Sequence, residues 1–365
     1  MRIVAPALAM LCVAGAASAG DLTATAYQVT PAHNAVVKFS KHWGTSLKTR
    51  WTATLDGSAS FPLVVGRSVY ALVAGEPEEI VRIDVVTGKI IWKISAGSGG
   101  IVGLAYDHRE LFGVNGSGTL SAYAAKSGRL LWAMPLPGQY SFTAPPSALN
   151  GLVFVGGAGD GGTLYAVDEA TGKLIWSQSV ENGDESSPAV TATGVYVSYP
   201  CQYYDFAPAT GAAIWHHSGD CEGGGGSTPV VADKLVFVRD YANSNSILNA
   251  DTGAVVGTFG ATAPPAVSGK IGYFLDGTTL SAVNPATSRL LWEFSGDGSI
   301  NSPPLVVNGY VVVASDEHLH VIDERTGVAA STTTLGQPSG GVIGAGNETI
   351  FVPLGNTLVA FGSAS

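Results

Sequence analysis

Between Cys201 and Cys221 the chain reads CQYYDFAPATGAAIWHHSGDC, which sets two cysteines and the adjacent pair His216 and His217 within one short segment. Thiolates and imidazoles bind zinc and carry redox chemistry, so this spacing could build a metal site or a dithiol. On an extended strand neighbouring side chains point to opposite faces, which separates His216 from His217 and argues against a shared ligand role. His318 and His320 stand two apart and share a strand face as a metal pair does, but the sequence shows no third ligand near them. The glycine run after Glu222 lacks the lysine and the following helix that make such a loop bind phosphate, and it reads instead as close backbone approach. The chain has no G-x-S-x-G elbow and no C-x-x-C-H haem site, and paired carboxylates occur only in scattered loops.

The elements that position these residues are repeats. LYAVDEATGKLIW, ending at Trp176, recurs as VRIDVVTGKIIW at Trp92, LSAYAAKSGRLLW at Trp132, YYDFAPATGAAIW at Trp215 and LSAVNPATSRLLW at Trp292, with Gly257 and Ser331 in the tryptophan place of two weaker copies. Successive positions are 40, 44, 39, 42, 35 and 39 residues apart. A period near 40 is one four-stranded propeller blade. In the copy ending at Trp215, SPAVTA, GVYVSYP, QYYDFAPATG and AAIWHHS read as strands A to D from the axis outward. The Asp/Asn-x-x-Thr-Gly signal sits in the C–D turn, and tryptophan on the outer strand fills the wedge between blades. Trp51 lies in D-strand form near the start while NTLVAFGSAS ends as a C strand, so joining them closes an eighth blade and removes the open edges. The predicted fold is all-β: an eight-bladed propeller over residues 47–365, with Trp51, Trp92, Trp132, Trp176, Trp215 and Trp292 as docking residues.

Because strands alternate in direction, D–A connections and B–C loops share one face and A–B and C–D turns the other. The first face is the expected binding funnel. It carries Tyr140, Asp184, Glu185, Glu222, Arg239, Asp240, Tyr241 and Asn301, a set suited to a cation or a polyol. The same frame brings Cys201 and Cys221 to that face, where a disulfide would clamp one hairpin with roughly 3 kcal/mol of loop-entropy stabilisation.

Ahead of the repeats, Arg2, the apolar run Ile3 to Ala16 and Ala17-Ser18-Ala19 form an export signal expected to be cleaved near Ala19, over residues 1–19. The run is too short for a transmembrane span. Cys12 falls within it, and an even pair of cysteines in an exported chain reads as oxidised. Residues 20–46 are an N-terminal extension outside the repeat. Only 13% of residues are charged, the formal net charge is −10, and such an acidic surface excludes nucleic acid as a partner.

The pattern A-x-D-x-A-T-G-K-x-x-W, matched from Ala166 to Trp176, resembles the docking repeat of quinoprotein dehydrogenases that bind pyrroloquinoline quinone, and of their outer-membrane assembly propeller relatives. The resemblance covers residues 47–365 and implies the eight-bladed architecture. The alcohol-oxidising members carry an adjacent-cysteine disulfide and a calcium held by Glu and Asn/Asp, and neither can be matched residue by residue here. The expectation is therefore an exported, non-enzymatic binding or scaffold protein, periplasmic or secreted, with a protein partner in the envelope or exterior and no cofactor or metal. The alternatives are a divergent alcohol or sugar oxidoreductase using the quinone with calcium, and a glycan- or metal-binding module.

Overall fold

The computed structural model describes residues 22–364 apart from 41–42, 98, 160, 220–225, 240–244 and 340. Eight antiparallel sheets follow one another along the chain. Blade 4 has its strands at Ala189–Val190, Val195–Tyr199, Gln202–Phe206 and Ala213–Ser218, in the four segments read from the sequence. The circle closes as expected: Leu47–Thr54 pairs with Thr357–Ser363 and becomes the outer strand of blade 8.

Tryptophan joins the blades in two ways. Within its own blade each docking ring packs on an aromatic of strand B, with centroids 5.7 Å apart for Trp51–Phe351 and 6.0 Å for Tyr196–Trp215. Toward the next blade, Nε1 donates to a carbonyl in the C–D turn: Trp51 to Val85, Trp132 to Glu169, Trp176 to Pro208, Trp215 to Ala250 and Trp292 to Glu324. The turn glycine lies flat against that ring. Gly253 has φ 70°, and a Cβ there would lie 2.5 Å from Trp215. The Thr-Gly of the repeat is thus required twice, for the left-handed backbone and for the approach of the indole. Where blade 7 lacks tryptophan, the Ser331 hydroxyl donates to the carbonyl of Thr45 instead. Apolar side chains from successive blades fill the wedges, as where Phe112 and Leu120 of blade 2 meet Phe142, Val153 and Tyr165 of blade 3.

The N-terminal extension crosses the turn face of the ring. Leu22–Ala24 pairs with the inner strand of blade 1 and Val36–Val37 with that of blade 7. Between them, carbonyls of Thr25, Pro31, Ala32 and Asn34 accept from Tyr106, Val190, Val231 and Val267 of four further inner strands or their ends, and the Ala35 carbonyl accepts from Val306 of the blade 7 strand. Gln28, Val29, His33 and Ala35 all have positive φ. That backbone costs on the order of 1 kcal/mol or more per non-glycine residue and persists because the surrounding strands hold it.

Candidate functional site

Near the axis, His33 is buried, with Nδ1 3.1 Å from the Pro229 carbonyl and Nε2 3.3 and 3.5 Å from the hydroxyls of Ser147 and Ser187. Three blades therefore meet at one imidazole. Burial lowers its pKa to about 4, so the ring is neutral near pH 7; Nδ1–H donates to the carbonyl and Nε2 accepts from serine.

On the opposite face the connections into blades 4 and 5 form a continuous polar strip. Asp184 Oδ2 accepts from Gly226 N at 3.4 Å. The Ser186 hydroxyl bonds the Ser227 carbonyl and accepts from Ser198 N, and the Ser227 hydroxyl donates to the Arg239 carbonyl at 2.9 Å. Arg239 is only 8% exposed and holds the Thr262 carbonyl through Nη1. On opposite faces of the adjoining strand Val195–Tyr199, Ser198 Oγ and Tyr199 Oη are buried with no hydrogen-bond partner among the described residues. Gly156 lets the phenol approach the backbone closely, since a Cβ there would sit 2.9 Å from Tyr199 Oη. Burial, reinforced by nearby Tyr204 and Asp184, pushes the Tyr199 phenol well above its usual range, so it remains a donor. Leaving such groups unmet costs about 1–3 kcal/mol each, and a polar ligand group or water offsets that cost.

Of the residues singled out in the sequence, Asp184 and Arg239 are joined through this strip, and Glu185 adjoins it on the exposed side. Tyr140 lies on the connection into blade 3, exposed and packed over Gly159. Asn301 lies on the connection into blade 7, where its amide donates to Asp316 at 2.7 Å. Glu222, Asp240, Tyr241 and Cys221 fall outside the described residues. Cys201 occupies the B–C turn of blade 4, as its place in the repeat requires. The vicinal histidines are spent on opposite faces of their strand: His216 stacks on Tyr204 at 4.2 Å and His217 on Tyr203 at 5.9 Å.

Two clusters of histidine and carboxylate lie outside the strip. At the rim of blade 7, His318 and His320 meet Asp297, the third donor that was not apparent in the sequence. On the turn face, His108 Nδ1 lies 2.9 Å from Glu169 Oε2 and 3.3 Å from Asp107 Oδ2. Glu169 is buried, and its pKa is raised to about 9 first by burial, then by the charge of and hydrogen bond to Asp107 and by the charge of Glu110.

Of the groups a carboxylated quinone with a hard cation would need, this face offers the carboxylate oxygens of Glu185 for calcium and the Tyr199 hydroxyl as a donor, while the Arg239 guanidinium is bonded to the Thr262 carbonyl. The docking tryptophans take no part, since their rings are committed between blades.

A family model described as outer membrane protein assembly factor BamB matches residues 76–161, 116–241, 160–262 and 246–365. The tetrathionate hydrolase of Acidithiobacillus ferrooxidans is 23% identical over 352 residues, covering 79% of this chain and 69% of that protein. The dehydrogenase subunit of alcohol dehydrogenase (quinone) from Gluconacetobacter polyoxogenes is 25% identical over 331 residues, 77% of this chain; the chain spans only 41% of that subunit. In structure, the quinohemoprotein alcohol dehydrogenase of Comamonas testosteroni superposes with a TM-score of 0.79 at 14% identity, over 96% of this chain and 82% of its own. These matches overturn the expectation of a non-enzymatic scaffold without enzyme chemistry: the curated relatives are enzymes, and alignment to the quinone dehydrogenase runs through most of the propeller. The four family matches together cover the chain from residue 76 to its last residue, and the chain belongs to the BamB family of quinoprotein-like propellers.

Proposed function

We propose that the protein is an exported oxidoreductase of the quinoprotein type, acting on an alcohol or sugar hydroxyl at the strip between blades 4 and 5. The observation that carries this reading is the buried, unpartnered hydroxyl of Tyr199 near Asp184, where the connections into blades 4 and 5 are linked. Alignment to the quinone-dependent alcohol dehydrogenases supports the class, and the oxygen-rich donors support a polyhydroxyl or anionic occupant.

Glu185, exposed beside Asp184, would supply oxygens to calcium. A bound quinone of this kind supplies the acceptor for two electrons. The chain's own work is to bind and orient. Asp184 would serve as the base for a substrate hydroxyl proton, and the Tyr199 hydroxyl would be a nearby donor. The rest of the reading is cleavage near Ala19, a Cys201–Cys221 clamp over the outer hairpin of blade 4, and an envelope protein partner that receives electrons or holds the enzyme in place.

Purified protein incubated with pyrroloquinoline quinone and calcium should reduce a dye in the presence of primary alcohols or aldoses, and Asp184→Asn should lower kcat at least 100-fold with the fold intact. Absence of turnover across such a panel, together with no quinone-dependent thermal shift, would remove the proposal.

A further inference from the structure

Asp297 lies in the connection from blade 6 to blade 7, and His318 and His320 lie on strand His318–Asp323, third from the axis in blade 7. D–A connections and B–C loops emerge on the same face, so chain direction alone brings the aspartate to the start of that strand. His318 Nδ1 is 2.7 Å from Asp297 Oδ2, His320 Nε2 is 3.9 Å from the same oxygen, and all three donor atoms lie within 4.8 Å of one another.

The decisive atom is His320 Nε2. Its side chain is 5% exposed, the nitrogen has no hydrogen-bond partner among the described residues, and it faces Asp297. The opposite nitrogen, Nδ1, lies 3.3 Å from the Thr332 hydroxyl, and the ring stands edge-on to Phe294 at 5.3 Å. An imidazole fixed by a bond at one nitrogen, with the other buried and unmet, is the arrangement of a metal-ligating histidine. Gly296 keeps the approach clear, because a Cβ there would lie 3.0 Å from Nε2. The carboxylate is held in turn by Ser315 Oγ at 2.6 Å on Oδ2 and by Ser299 Oγ at 2.9 Å on Oδ1.

We infer that Asp297, His318 and His320 bind one divalent transition-metal ion of the zinc class at the rim of blade 7, through two imidazole nitrogens and one carboxylate oxygen. Tetrahedral zinc with bonds near 2.0–2.1 Å places its donors about 3.3 Å apart, a spacing between the two distances to Asp297, so small side-chain rotations suffice. Imidazole donors select this class over calcium or magnesium. Binding takes the proton from His318 Nδ1, which now faces Asp297, and moves it to Nε2 or to solvent. A fourth position is left for water or an exogenous group, and the ion ties the connection that feeds the inner strand to the third strand of the same blade. This site is separate from the strip of the proposed function.

Chelator-stripped protein should take up one equivalent of zinc by calorimetry and elemental analysis, with a rise in melting temperature that calcium does not reproduce. Cobalt in its place should give the visible bands of a four-coordinate site. Asp297→Asn and His318→Ala, at partly exposed positions, should each weaken zinc binding at least 10-fold while the circular dichroism spectrum stays native. His320→Ala should abolish it. No uptake by the folded wild type overturns the inference, as does uptake that survives Asp297→Asn and His318→Ala or is lost only in Glu169→Gln. None of these readings depends on turnover.

Discussion

The two faces of the ring each carry a histidine beside carboxylates, and they treat the carboxylate in opposite ways. At the rim of blade 7 burial raises the Asp297 pKa, but hydrogen bonds from Ser315, His318 and Ser299 outweigh it and hold the carboxyl well below its usual range. On the turn face burial, reinforced by the neighbouring carboxylates of Asp107 and Glu110, pushes Glu169 up to about 9, so it keeps its proton near neutrality. One cluster presents an anion and an unmet imidazole nitrogen; the other holds a protonated carboxyl, with Glu169 Oε1 and Glu110 Oε2 buried and without hydrogen-bond partners among the described residues. The difference follows from what each face is for. The turn face repeats the same Asp-x-x-Thr-Gly geometry under a tryptophan in blade after blade, whereas the funnel face is built from connections that differ between blades. Regularity on one side holds the ring together and leaves the other side free to vary.

The largest expected effect of a substitution on stability tests that division. Gly253→Val puts a β-branched side chain at φ 70° and into Trp215 at 2.5 Å, and should cost about 3 kcal/mol or more in urea unfolding. Gly277→Ala, at φ 58° with nothing within 4 Å, should cost only about 1 kcal/mol. Equal losses at the two positions would mean that the indole contact is not what holds successive blades together.

Regularity also explains how much could be read in advance. Blade count, strand order, ring closure and the six tryptophans follow from one spacing, and the structure agrees with each. The rim was legible only as a face. The repeat frame brings Asp184 and Arg239 to the same side, but nothing in it reports that Gly226 and Ser227 link them. Ser198 and Tyr199 read as interior strand residues, and only the structure shows their hydroxyls unmet. Asp297 reads as a turn residue in GDGS; the rule that could have found it is that a connection and a B–C loop of one blade meet on the same face. His33 lies outside the period altogether, so no repeat-based signal marks it. The expectation of a scaffold arose from seeking another family's calcium ligands residue by residue, a search blind to polar groups supplied by differently built loops.

A pH-dependent effect sharpens the contrast between the carboxylates. Glu169 has a folded pKa of about 9 against an ordinary value near 4.5, so its contribution to stability is complete below about pH 4.5 and is lost as pH rises through 9. Wild type should therefore lose about 4 kcal/mol between pH 5 and pH 8 through this group, with Asp107 and Glu110 as its acidic neighbours and His108 beside it. Glu169→Gln keeps the shape and removes the titration, so the slope of melting temperature against pH should flatten. A residual slope of the same sign remains from Asp205, pushed up to about 8 by burial. An unchanged slope in the variant would show that Glu169 is ionised, held by a cation as Asp297 is proposed to be.

The smallest effect on stability falls at Tyr199. Its ring is packed in the core between blades 3 and 4, and its hydroxyl has no partner among the described residues. Tyr199→Phe therefore keeps the packing and removes a group whose burial is uncompensated, and unfolding free energy should move by less than about 1 kcal/mol, toward greater stability if at all. The same change deletes a donor from the proposed site and should lower kcat/KM for alcohol oxidation about 10-fold or more. A loss of stability above about 2 kcal/mol would mean that the hydroxyl already has a structural partner, such as a fixed water. A phenol spent that way would be structural, as are the Thr87 and Thr326 hydroxyls that bond Asp84 and Asp323 in the turns of the opposite face.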